Sequence, residues 1–330
     1  MNNKKNKSLP FIIFLMMFIF NGCATIVYKT IPLRNIAKVK GPYFVGTQNF
    51  QIVDASRKMW FSGDIKGFRK LSVKMWYPAD NIASLKKAPY LNKHKLIGSA
   101  ISKLFGVPEA LMDRAGGVKC NSWLNAAPTN GKFPIIIYSH GHQSIKIANT
   151  SQAEEMASNG YIVVAMDHSY DAALTILDED KIIYSRSRLP ANDEEALQES
   201  MIQRVKSQLK IRTEDVSFVI DELKIMFEKD KRFSQVADFD NIGIFGHSFG
   251  GCTSIMSAYN DTRIDAVLGL DTYFLPLPKE IIKKDLNTPF VHLGQVSWGD
   301  SDNYEVMSEL GKSSNLEFYH FAIEGSKHND

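Results

Sequence analysis

From Pro134 onward, short apolar runs alternate with helical patterns, the arrangement expected of strands buried on both faces and joined by helices. Residues 134–138 read as a buried strand, followed by a turn at Ser139-His140-Gly141, a polar helix over about 152–159 and a second buried strand over 161–166. These make one βαβ unit. Residues 242–245 lead into Gly246 and a helix over 252–259, and apolar strands at 266–270, 290–293 and 316–321 continue the series. Strands without long gaps between them predict one α/β domain over residues 24–330, a doubly wound and mainly parallel sheet with helices on both faces. Two helical insertions interrupt it. One, near 190–230, spaces Val205, Leu209, Val216, Val219, Ile220, Leu223 and Phe227 by threes and fours and is expected to pack across the sheet. The other, near 94–125, places Leu96, Ile97, Ile101, Leu104 and Phe105 on one face, as a core or lid helix.

The first 23 residues divide into a basic start, an apolar run over 9–20 and Gly22-Cys23, the layout of an export signal. A run of about a dozen residues is short for a membrane-spanning helix, which needs about 20. Phe20-Asn21-Gly22-Cys23 resembles a bacterial lipoprotein signal, although Phe20 and Asn21 depart from its usual residues. That resemblance makes Cys23 the lipidated first residue of the mature chain. It implies an exported protein held at a cell-envelope membrane surface by its anchor.

Composition adds exclusions. The formal charge of +3 equals the contribution of Lys4, Lys5 and Lys7, so the remainder is neutral and gives no field to gather nucleic acid. Beyond Cys23 only Cys120 and Cys252 remain, and neither is expected to form a disulfide. His140 and His168 lack any HExxH-like spacing, and no metal or organic cofactor is expected.

Gly246-His247-Ser248-Phe249-Gly250 is a GxSxG sequence placed between a strand and a helix, the context of a nucleophile elbow. Glycines on either side remove Cβ atoms that would clash when the serine backbone takes a strained conformation. The turn presents the Ser248 hydroxyl at a helix N-terminus, where the Phe249 N–H can face a developing oxyanion. A serine needs a base, itself held by a carboxylate. Of the three later histidines, His292 and His320 lie within apolar strands, whereas His328 follows a strand in the loop Glu324-Gly-Ser-Lys-His328. The carboxylate falls between serine and histidine, and the pattern leaves Asp271, Asp300 and Asp302 open.

An ordered set of segments then resembles one family. It comprises Gly41-Pro-Tyr-Phe-Val-Gly46, Trp76-Tyr-Pro78, Tyr138-Ser-His-Gly141, Ala157-Ser-Asn-Gly-Tyr-Ile-Val-Val164, Asp167-His168, Gly246-His-Ser-Phe-Gly-Gly251, Leu270-Asp271, Pro276-Leu277 and Gly325-Ser-Lys-His328. It is similar to the α/β-hydrolases of the platelet-activating factor acetylhydrolase type, plasma or isoform II kind. The resemblance implies an α/β-hydrolase fold with Ser248 as nucleophile, Asp271 as orienting carboxylate, His328 as base, and backbone oxyanion donors at His142 and Phe249. It implies a short-acyl ester substrate, such as the sn-2 acetyl group of a phospholipid. Other envelope esterases of the dienelactone hydrolase, cutinase or polysaccharide deacetylase kind, and a non-catalytic lipoprotein on this fold, are the alternatives. The family shows an apolar residue where His142 stands. It also continues past the histidine loop into a closing helix, which is expected to be missing here, leaving the loop less firmly held.

Overall fold

The apolar runs form the centre of one mixed sheet. The computed structural model describes residues 36–328 apart from 81, 107–108, 110–116, 283–285, 297, 299–300 and 314–316, so Cys23 and Asp300 lie outside the described residues. In chain order the strands are β1 (Phe44–Lys58), β2 (Phe68–Asp80), β3 (Lys87–Pro89), β4 (Lys119–Leu124), β5 (Ala127–Pro128), β6 (Phe133–Ser139) and β7 (Ile162–Asp167). After a small hairpin of β8 (Leu174–Ile176) and β9 (Ile182–Tyr184) come β10 (Ala237–His247), β11 (Ile264–Leu270), β12 (Phe290–Gln295) and β13 (Phe318–Ile323). The longer helices are α1 (His94–Phe105), α2 (Thr150–Ser158), α3 (Glu199–Lys229), α4 (Phe249–Asn260) and α5 (Ser301–Ser313).

The strand order runs β13-β12-β11-β10-β6-β7-β2-β1-β4, parallel from β13 to β7. The long strands β1 and β2 pair antiparallel, and β2 pairs antiparallel with β7. No sequence pattern had marked either of them. Part of β2 is buried on both faces, including Lys74, whose Nζ lies 5.0 Å from the Trp76 ring, so the polar-apolar alternation that reveals a half-exposed strand is broken there.

Period-two alternation divides the sheet side chains between two cores. Ile135, Ile137, Ile162, Val164, Ile242 and Ile244 face the larger one, which takes in the buried positions of α3, α4 and α5. Trp76, Tyr138, Val163, Ala165 and Phe245 face the smaller, where Ala153 and Ala157 of α2 pack. All seven apolar positions singled out in the 190–230 insertion are buried on α3. On the smaller-core face, Leu268, Val291 and Tyr319 lie abreast, as do Leu270, Leu293 and Phe321, and Tyr319 and Phe321 are about half exposed.

Residues Pro89–Cys120 form a compact unit distinct from that of Ala37–Ala88 and Asn121–Asp330. In the former, α1 runs between left-handed Lys93 (φ 54°) and Gly106 (φ 65°), with Ile97 and Ala100 buried. No helix among the described residues is long and apolar enough to cross a membrane. Neither Cys120 nor Cys252 forms a disulfide.

In the second unit β6 leads through α2 to β7 on one side, while β10 leads through α4 to β11 on the other. The loops after β6 and β10 therefore part at the carboxyl ends of adjacent strands, where such sheets open a crevice.

Candidate active site

Ser248 occupies that divergence. Its backbone is strained, at φ 56° and ψ −121°, and is held by its own N–H donating to the Leu270 carbonyl (2.9 Å) and by the N–H groups of Gly251 (2.9 Å) and Tyr273 (3.1 Å) donating to its carbonyl. The flanking glycines are demanded by contact as well. A Cβ at Gly246 would lie 2.2 Å from the Gly250 carbonyl oxygen, and one at Gly250 would lie 2.0 Å from that of Ser139.

The structure brings Ser248, Asp271 and His328 together. His328 Nδ1 lies 2.6 Å from Asp271 Oδ2, and its Nε2 lies 3.0 Å from Ser248 Oγ. A carboxylate accepts only, so Nδ1 carries the proton and Nε2 presents a lone pair to the serine hydroxyl. Asp271 directly follows β11, at φ 41°, and its N–H donates to the Leu293 carbonyl (2.7 Å). Its Oδ1 takes the Gln295 N–H (3.1 Å) and the Trp298 indole N–H (3.0 Å), and its Oδ2 also takes Gln295 Nε2 (3.0 Å). Burial raises the Asp271 pKa, but the bonds from His328, Gln295 and Trp298 outweigh it and hold the carboxyl below its usual range. The group is an anion at neutral pH.

His328 has further supports. His247 Nε2 donates to its carbonyl oxygen (2.6 Å), and the Trp298 ring meets its imidazole edge-to-face at 4.8 Å. Burial lowers the His247 pKa, and the neutral ring serves as a strut. Trp298 in turn stacks on Tyr273, with ring centroids 5.8 Å apart and an interplanar angle of 11°. The histidine loop, expected to be poorly held, is thus tied to the elbow, to Asp271 and to Trp298. Gln295 and Trp298 were not read from the sequence, although a polar residue closing a strand beside a candidate acid is a usable signal. Asp302 lies in the first turn of α5.

The loop after β6 sits against the nucleophile, since a Cβ at Gly141 would lie 3.4 Å from that of Ser248. Among the described residues, no turn or loop carbonyl accepts the N–H of His142 or of Phe249. Burial keeps the His142 ring neutral. A tetrahedral oxyanion formed at a serine requires N–H donors left unengaged in this way.

His140, His168 and His292 are structural. His140 Nδ1 donates to the Gly141 carbonyl, and His168 bridges Ser139 Oγ and Asp215. His292 Nε2 accepts the Thr272 N–H. Burial drives the pKa of His140 well down and those of His168 and His292 to about 4. The folded protein keeps these rings neutral below pH 6.5 while the unfolded chain protonates them, so each lowers stability progressively as pH falls from about 6.5 toward 4. Urea denaturation at several pH values in this window is expected to show that loss. A flat profile would contradict the burial of neutral imidazoles.

Comparison with known proteins agrees with this geometry. The family model for platelet-activating factor acetylhydrolase, isoform II, matches residues 29–330. The platelet-activating factor acetylhydrolase of Gallus gallus is 23% identical over 318 residues, which cover 88% of this chain and 72% of that one. The Canis lupus familiaris protein of the same name is 23% identical over 328 residues, covering 92% and 70%. Among solved structures, the ferulic acid esterase from Streptomyces cinnamoneus superposes with a TM-score of 0.73 at 25% identity, covering 89% of this chain and 78% of that one. The chain belongs to the platelet-activating factor acetylhydrolase, isoform II, family, and is a serine ester hydrolase of the α/β-hydrolase fold.

Proposed function

We propose that this hydrolase removes short acyl groups, the sn-2 acetyl of a phospholipid foremost, through an acyl-enzyme on Ser248. The observation that carries the reading is the continuous relay from Asp271 through His328 to Ser248 Oγ. His328 Nε2 takes the hydroxyl proton as Ser248 Oγ attacks the ester carbonyl. The N–H groups of His142 and Phe249 receive the oxyanion, and His328 returns the proton to the departing alcohol. Water, deprotonated by the same imidazole, then releases the short acid. Asp271 keeps Nδ1 protonated and stabilises the imidazolium. No step calls for a metal or organic cofactor.

The choice of substrate is supported by family membership and by a relative named as a probable 1-alkyl-2-acetylglycerophosphocholine esterase in Arthroderma benhamiae. The N-terminal segment supports export and anchoring at an envelope membrane through a lipidated Cys23, which would put lipid esters within reach.

A fluorophosphonate is expected to label the full chain at Ser248, as read by peptide mapping, and to abolish its esterase activity. Against a panel of 2-acyl phospholipids, turnover is expected to be highest for acetyl and to fall steeply with chain length. Preference for a hydroxycinnamate ester, the kind of substrate in the name of the Streptomyces enzyme, would overturn the lipid assignment and leave the serine mechanism standing. Radiolabelled fatty acid should mark the wild type and not Cys23→Ala in a bacterial host, and equal labelling of both would remove the anchor.

A further inference from the structure

We propose that Arg212, on α3, is a positioning residue that holds the two halves of the oxyanion hole in register. The proposal rests on Ser248 being the nucleophile. Arg212 is fully buried, and its guanidinium spans the elements that supply the two donors. Toward the β6 loop, Nη2 donates to Ser139 Oγ (3.0 Å) and to the His140 carbonyl oxygen. Toward α4, Nε donates to Thr253 Oγ1 (2.9 Å), and the guanidinium carbon stands 4.9 Å from the Phe249 ring. Nη1 pairs with Asp171 (2.5 Å), itself fully buried, which neutralises the charge.

The effect on the donors follows from peptide geometry. Arg212 holds the His140 carbonyl, and His140 Nδ1 donates to the Gly141 carbonyl (2.7 Å) while its Nε2 accepts the His168 N–H (3.2 Å). In a planar trans peptide the Gly141 carbonyl and the His142 N–H point in opposite directions, so fixing the one aims the other. The second donor, the Phe249 N–H, belongs to a residue whose ring rests against the same guanidinium. A planar fork of five N–H donors can serve both sides at once, whereas a lysine ammonium can keep the bond to Asp171 but cannot span from His140 to Thr253.

Arg212→Lys in the full chain separates this role from an ordinary buried ion pair. With p-nitrophenyl acetate, kcat is expected to fall about 10²-fold with KM unchanged within about threefold, the signature of an interaction made in the transition state. A short-chain trifluoromethyl ketone, which forms a hemiketal oxyanion on Ser248, should bind more weakly by a similar factor. A folded Arg212→Lys that keeps kcat and inhibitor affinity within about threefold of wild type overturns the proposal, as does a loss carried wholly by KM. If that variant does not fold, Thr253→Val decides: a drop in kcat of about tenfold at constant KM supports the proposal, and unchanged kcat overturns it. A wild-type chain without ester turnover would instead defeat the esterase reading itself.

Discussion

Replacing Ser248 with alanine is expected to lower kcat on a short-chain ester by at least about 10⁴-fold while leaving the fold intact. The Ser248 hydroxyl touches His328 Nε2 at 3.0 Å, and its removal leaves the imidazole with no oxygen to activate except that of water. The backbone pays no new strain, because alanine carries the same Cβ into the φ 56° conformation that serine already occupies. Only one exchangeable hydrogen bond is lost at a nearly buried position, a change of about 1 kcal/mol in stability. The variant should therefore unfold close to the wild-type temperature and bind substrate, but take no fluorophosphonate. Ester turnover within about tenfold of wild type, measured on protein free of host esterases, would remove Ser248 from the mechanism and leave the relay without a function.

The elbow was legible because its constraints are local. A strand, two glycines around a serine and a following helix occupy about ten consecutive residues, and the structure shows both glycines packed where a Cβ would meet a carbonyl. The parallel core was legible for a related reason, since strands buried on both faces read as uninterrupted apolar runs. The acid was less so. Asp271, Asp300 and Asp302 all follow a strand or its loop, and only the fold decides which one reaches the imidazole. Gln295 and Trp298 meet Asp271 across 24 and 27 residues of chain, a separation no local pattern reports. Arg212 did leave a trace. The stripe Val205, Leu209, Val216, Val219, Leu223 and Phe227 steps by fours and threes except for one gap of seven, and Arg212 fills it. A charge in an apolar stripe is costly to bury unless it is paired and bonded, and here the guanidinium finds Asp171, Thr253, Ser139 and His140.

Asp271→Asn is expected to lower kcat by about 10⁴-fold, whereas Asp302→Asn should leave it within about twofold. Four donors converge on the Asp271 carboxylate, with the Gln295 and Trp298 N–H groups on Oδ1 and His328 Nδ1 with Gln295 Nε2 on Oδ2. Asparagine can offer an oxygen to only one side. If its amide nitrogen faces Gln295 and Trp298, two donors oppose a donor inside a buried site. If it faces His328, the imidazole must move its proton from Nδ1 to Nε2 to accept the amide, and Nε2 can then no longer take the proton of Ser248. Either arrangement also removes the negative charge that stabilises the imidazolium as Ser248 attacks. Nearly equal side-chain volumes keep the core unchanged, so both variants should fold and share the wild-type KM within about threefold. Steady-state kinetics on one soluble ester gives the comparison. A loss under about tenfold in Asp271→Asn, or a larger loss in Asp302→Asn, would move the orienting carboxylate away from the end of β11.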